Sequence, residues 1–333
     1  MRRTLFHFVA AVSMAAASMV SAVQAAVVSF GSGTNVFQME FVTIGNPGNA
    51  PDPTGALVPA GAVGYTYGIG KFEVSREIIA KFNASQSLQI SLTDMTGMGS
   101  NGPNRPATGV SWNEAARFVN WLNTSTGRFS AYKFTSGRVN ENIELWTASD
   151  ALDYDPSNPY RSKRTTYVLP SFNEWHKAAY YSPNGTYYDF SNGSDTAPRA
   201  VASGTAAGTA VYNQDFPQGP ADVDQAGGLS PYGVMGLGGN VFEWEETSEK
   251  LGNESGSSRR ALRGGNWYIS STYMSSSSRF FFVEPRSDLS GNGGFRVATL
   301  SPSSPPVVPE PSMMLIGALS GLGGLVAKRQ MKK

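Results

Sequence analysis

The 333-residue chain contains no cysteine. That absence excludes disulfides, thiolate nucleophiles, iron–sulfur clusters and cysteine-bound zinc. Histidine is nearly absent too, with His7 and His176 the only two. His7 falls in an N-terminal leader, so a zinc site built from several histidines cannot form in one mature chain. A Ser-His-Asp triad would have to run through His176. Charge is sparse, at 15% of residues, against roughly 25% in an average soluble domain. Six of the 26 basic and one of the 25 acidic residues lie in the terminal segments, so residues 26 to 309 hold 20 basic and 24 acidic side chains. The basic footprint that nucleic acid or anionic lipid requires is therefore missing.

Glycine and aromatic residues are plentiful by contrast, with 37 Gly and 11% Phe, Trp and Tyr. Such a composition predicts a loop-rich globular domain with tight turns and an aromatic core. The two ends read differently. Arg2 and Arg3, an apolar stretch from Leu5 to Val20, and Ser21-Ala22-Val23-Gln24-Ala25 have the order of a secretory signal, with cleavage expected after Ala25. Residues 301–308 form a Ser/Pro linker, and Pro309-Glu310-Pro311 follows. Next come 15 uncharged, mostly apolar residues from Met313 to Ala327, and then a basic tail from Lys328 to Lys333. A helix over that apolar stretch would cover about 22 Å, short of a ~30 Å bilayer core. The three-part end at 309–333 resembles a PEP-CTERM sorting signal. The resemblance implies a Gram-negative host making extracellular polysaccharide, export to the cell surface or beyond, and an exosortase-type transpeptidase as processing partner. A permanent membrane anchor is the alternative.

Between the ends, alternating apolar and turn residues at 36 to 74 predict short strands. Ser75 is placed to cap a helix reaching about Asn83, with Ile78, Ile79 and Phe82 on its buried face. Ser111-Trp112-Asn113-Glu114 and Ser171-Phe172-Asn173-Glu174 are two capping boxes. Trp112, Ala115, Val119 and Leu122 follow the first at helical spacing, and Phe172, Trp175 and Ala179 mark one face of the second. His176 rides on this last helix without a visible Ser or Asp partner, so a structural or solvated role is expected. Residues 183 to 231 read mostly as loop. Gly239-Asn240-Val241-Phe242-Glu243-Trp244, Arg263-Gly264-Gly265-Asn266-Trp267 and Gly293-Gly294-Phe295-Arg296-Val297 place glycines beside large flat side chains. None of them forms a strand–GxGxxG–helix phosphate cradle.

In order, Arg105 to Trp112, Asn120-Trp121-Leu122, Tyr167 to Trp175, Gly239 to Trp244, Arg263 to Trp267, Arg279 and Gly294 to Val297 form a recognisable series. The chain from about residue 37 to 299 resembles the formylglycine-generating enzyme (sulfatase-modifying factor) family. The resemblance implies a single α+β domain over residues 26–300, related to the C-type lectin fold and low in regular secondary structure.

Members that make formylglycine hold copper(I) through two cysteines, a soft site that needs thiolates. Those positions fall here on Ile269 and Met274, so copper is not expected. Sulfoxide synthases of the same fold hold iron with three histidines, which this chain does not possess. Three readings stay open: a non-catalytic module binding extracellular polysaccharide or a surface protein, an enzyme of altered chemistry, and a structural matrix protein. For the first, Trp267, Tyr268, Ile269, Tyr273 and Met274 mark the ligand groove that the resemblance implies, with Trp and Tyr as stacking faces. The family also implies calcium. Carried over, its ligands are the carbonyls of Gly239 and Val241 and the carboxylate of Glu243, while the fourth position is Gly236, which has no side chain. Asn213 matches one ligand of a second calcium site. Glu243, Glu245 and Glu246 are otherwise expected to bind metal or to be solvated.

Overall fold

The computed structural model describes residues 25–54, 59–279 and 281–300. The leader up to residue 24, the Ser/Pro linker and the sorting signal lie outside the described residues. In chain order the elements are β1 (Ala25–Phe30), β2 (Phe37–Ile44), β3 (Tyr67–Gly70), α1 (Arg76–Ser85), α2 (Trp112–Ser125), β4 (Tyr167–Val168) and α3 (Phe172–Tyr180). There follow β5 (Arg199–Ala200), β6 (Thr209–Ala210), β7 (Phe242–Ser248), β8 (Arg260–Arg263), β9 (Phe281–Val283), β10 (Gly293–Gly294) and β11 (Ala298–Thr299). Long connections between short elements make this the expected mixed α and β domain of low regular content.

Strands β1, β2, β3, β11 and β4 form one antiparallel sheet in that order, which brings the end of the domain back between β3 and β4. A second sheet has the order β10, β7, β8, β9, with β10 parallel to β7 and the other pairs antiparallel. β5 and β6 pair separately inside the long loop region.

The helices begin where their caps require. Ser75 accepts from the Ile78 amide at the start of α1, and both capping boxes are closed at α2 and α3. Each cap satisfies backbone donors that have no partner within the helix. Ile79 and Phe82 of α1 are buried, whereas Ile78 is only half-buried, because the short helix turns that position toward its rim. Trp112, Ala115, Val119 and Leu122 of α2 are fully buried, as are Trp175 and Ala179 of α3, with Phe172 nearly so. Three buried indoles tie these helices to β7: Trp112 donates to the Glu245 carbonyl (2.9 Å), Trp244 to the Val110 carbonyl (2.8 Å) and Trp175 to the Glu243 carboxylate (2.7 Å). Each ring thus buries its apolar area and still satisfies its one polar atom.

Gly264 and Gly239 show why the glycine motifs are glycine. Both have positive φ, near 89° and 86°, where a side chain is strained. A Cβ at Gly264 would also meet the Trp175 ring at 3.2 Å, and one at Gly239 would sit 2.2 Å from the Val211 carbonyl oxygen.

Candidate functional site

Strand β7 runs Phe-Glu-Trp-Glu-Glu-Thr-Ser, and every residue of it is buried. Three carboxylates in one buried strand demand partners, since an isolated buried charge costs several kcal/mol. Arg296 meets Glu243 through two bonds, Nη2 to Oε1 at 2.5 Å and Nε to Oε2 at 2.6 Å. Glu245 is paired with both Arg263 (3.0 Å) and Arg279 (3.1 Å). Glu246 faces Arg161 (3.2 Å) and accepts from the Tyr132 hydroxyl (2.8 Å) and the Asn158 amide (2.6 Å). Arg161 also holds Glu174 (3.1 Å), which closes the capping box of α3 from behind. The expectation that Glu243, Glu245 and Glu246 bind metal or face solvent is corrected: all three are internal ion-pair partners.

His176 belongs to the same web. Arg263 Nη2 lies 2.6 Å from its Nδ1, and Asp52 Oδ2 lies 3.1 Å from its Nε2. A guanidinium only donates, so Nδ1 carries the lone pair and Nε2 the proton. Burial, followed by the Arg263 charge against the pull of Asp52, brings the imidazole down to about 4. Burial raises Asp52, but hydrogen bonds from His176 and Thr54 outweigh it and hold the carboxyl at about 2. The third member of this chain is therefore an arginine rather than a serine, so no nucleophilic triad runs through the imidazole. His176 is structural, and it is buried rather than solvated.

The Gly239 loop is held by another carboxylate, Glu73, just beyond β3. Asn240 Nδ2 donates to Glu73 Oε2 (2.5 Å), the Val241 amide donates to Oε1 (3.3 Å), and Asn240 Oδ1 accepts from the Ala221 amide (2.8 Å). Burial and then the nearby Glu243 charge push Glu73 up to about 8. A Cβ on Gly236 would lie 3.2 Å from the Glu73 carboxyl carbon, so this carboxyl occupies the space that a side chain at position 236 would enter.

The residues present do not fit a calcium ion here. The Glu243 oxygens already accept from Arg296 and Trp175, and Gly236 supplies no side chain. Among the described residues no group of three or more His, Cys, Asp or Glu is arranged to hold a metal. Asn213 is exposed, and its amide donates to the Ile269 carbonyl (3.1 Å), away from Glu243.

The five groove positions do not share one surface. Trp267 is fully buried, with Val211 and Ala221 about it, and its indole donates to the Gly291 carbonyl (3.3 Å). Met274 is buried too; a Cβ on Gly265 would sit 2.7 Å from its Cγ. Ile269 is half-buried against the main core, and Tyr273 stacks on Phe281 at 5.8 Å beside a cleft of about 370 Å³ lined by Ser270, Thr272 and Ser275. Tyr268 alone is exposed, at 50%. Asn266 Oδ1 fixes the backbone there by accepting from the Tyr268 and Ile269 amides.

Phe216 completes the exposed aromatic surface. It is 55% exposed, and its ring stands edge-on to both Trp267 and Tyr268, with centroids 5.0 Å apart in each case. Reading by motif passed over Phe216, because it lies in a loop with no periodicity. The one available signal was a Phe-Pro pair among polar residues.

No curated protein matches the chain. Among solved structures it is similar to the Treponema denticola variable protein 1, at 21% identity and a TM-score of 0.56, over 83% of this chain and 99% of that one. It is also similar to CarF, at 18% identity and a TM-score of 0.54, over 78% of this chain and 98% of that one. Both likenesses concern the fold. The Sulfatase-modifying factor enzyme 1-like domain matches residues 56–300, most of the chain and every residue of β7 with its arginine partners, and the protein belongs to that family.

Proposed function

We propose that this protein is an exported, non-catalytic binding domain of the sulfatase-modifying-factor fold, and that its ligand is extracellular polysaccharide. The observation that carries the reading is the exposed Phe216–Tyr268 pair, two large apolar rings held at the surface by a buried tryptophan. Isolated exposed apolar residues are ordinary; adjoining aromatic rings on a rigid base are a stacking face. The lack of cysteine supports the non-catalytic part, as does the use of Ile269 and Met274 where copper-binding relatives have thiolates. The leader and the Pro309-Glu310-Pro311 tail support export and exosortase-type processing, which would leave the domain at the surface of a polysaccharide-producing cell.

One observation favours a second reading, an enzyme of altered chemistry. Glu73, held protonated near neutral pH, lines a cleft of about 250 Å³ with Glu40, Glu77 and Lys81. A neutral carboxylic acid in a cleft is a candidate proton donor. Incubation of the purified protein with extracellular polysaccharide separates the two. Saturable binding with unchanged polymer length supports the binding domain. Shortened or chemically altered polymer that depends on Glu73 supports the enzyme, and neither result leaves the structural matrix role.

A further inference from the structure

We infer that the cleft beside Phe216 is a subsite for a neutral polysaccharide, with the Phe216 ring as its stacking face; this rests on the binding-domain reading. The cleft measures about 450 Å³ and is lined by Arg105, Gln214, Asp215, Phe216 and Gln218. That volume falls within the roughly 300–1,000 Å³ of small-molecule sites. Its shape is built in. A Cβ on Gly99 would lie 2.6 Å from the Gln218 carbonyl oxygen, and one on Gly219 would overlap the Met98 carbonyl. The two loops forming the walls thus touch backbone to backbone.

The chemistry of the lining selects the ligand. Gln214 is anchored through its backbone amide to the Trp267 carbonyl (2.9 Å) and through Nε2 to the Tyr212 carbonyl (2.6 Å), which leaves Oε1 for another donor. Asp215 and Gln218 stand on a turn closed by the Gln218 amide on the Asp215 carbonyl (2.8 Å), and both side chains are exposed. Carboxylate and amide oxygens beside an aromatic ring suit a pyranose: its C–H face lies on the ring and its hydroxyls donate to the oxygens.

Charge excludes the acidic alternative. Arg105, the cation of the lining, is bridged at 3.3 Å to Asp222 beside the cleft, so with Asp215 two carboxylates face one guanidinium and the balance around the cleft is negative by one. Polyanionic sugars are repelled, and a neutral chain binds without dependence on salt.

The test is titration of the purified full-length protein with neutral and uronic-acid-containing polysaccharides at 0.05 and 0.5 M NaCl. It is repeated for Phe216→Ala, Asp215→Asn and Gln218→Ala, each checked for an unchanged melting temperature. The expected result is salt-insensitive binding of a neutral polymer, weakened about ten-fold or more by Phe216→Ala and measurably by the two polar substitutions. Neutral-polymer binding that survives all three substitutions overturns this site but keeps the polysaccharide reading. Preference for the acidic polymer, lost in high salt, overturns the charge argument. Failure to bind any polysaccharide overturns both the site and the reading.

Discussion

At the scale of single residues, the interior is organised by carboxylates that share cations. Glu73 and Glu243 both lie near Arg296, which contacts Glu243 directly, and the compromise is that Glu73 keeps its proton to about pH 8. The unfolded chain releases that proton near the ordinary glutamate value of 4.5. The native state therefore holds the extra proton between those pH values, and stability falls as pH rises through the window. Glu73→Gln should remove this slope, so that melting temperatures of variant and parent converge toward pH 4 and separate in the variant's favour toward pH 8. Parallel curves across the range would contradict the assignment. Arg296 is the other half of the arrangement. Arg296→Met strands a buried carboxylate and should cost about 3–5 kcal/mol in urea unfolding. Because Arg296 and Trp175 already occupy the Glu243 oxygens, millimolar calcium should leave the parent's melting temperature unchanged. An upward shift reversed by chelator would show that the loop takes up the ion.

At the scale of elements, the two capping boxes look alike in sequence and differ in what stands behind them. Glu114 of α2 bonds the Ser111 amide and hydroxyl and has no ion-pair partner among the described residues. Glu174 of α3 accepts from the Ser171 amide and also holds Arg161, which bridges to Glu246. Glu114→Ala should cost about 1 kcal/mol, as the loss of a cap does. Glu174→Ala breaks a buried charge network and should cost about 3–5 kcal/mol; equal losses would count against the network. The same contrast shows what could be read beforehand. Helix starts, buried faces and glycine turns depend on residues a few positions apart, so they were legible in Ser111 to Leu122 and Ser171 to Ala179. The ion pairs were not, because Glu243 meets Arg296 53 residues on and His176 meets Asp52 124 residues back. Three glutamates among Phe242 and Trp244 in β7 were the available warning of buried charge. The groove was half legible: Tyr268 was found, Trp267 proved to be its support, and Phe216 came from a loop without periodicity.

At the scale of the whole molecule, the family accounts for the frame, and the departures from it concern what the frame is used for. The chain has no cysteine, and its surface carries an aromatic pair beside a polar cleft. The proposed export should leave a physical trace: intact mass of protein isolated from its native host should show loss of residues 1–25 and of the tail beyond Pro309-Glu310-Pro311. A dominant species ending at Lys333 would point to a permanent anchor instead. The most direct measurement is binding of the purified protein to an array of extracellular polysaccharides, with the chemical state of each bound polymer analysed afterwards. Saturable binding to at least one polymer, which is recovered unaltered, is the result expected. An array with no bound polymer, or a polymer recovered cleaved or oxidised, would contradict the proposed function.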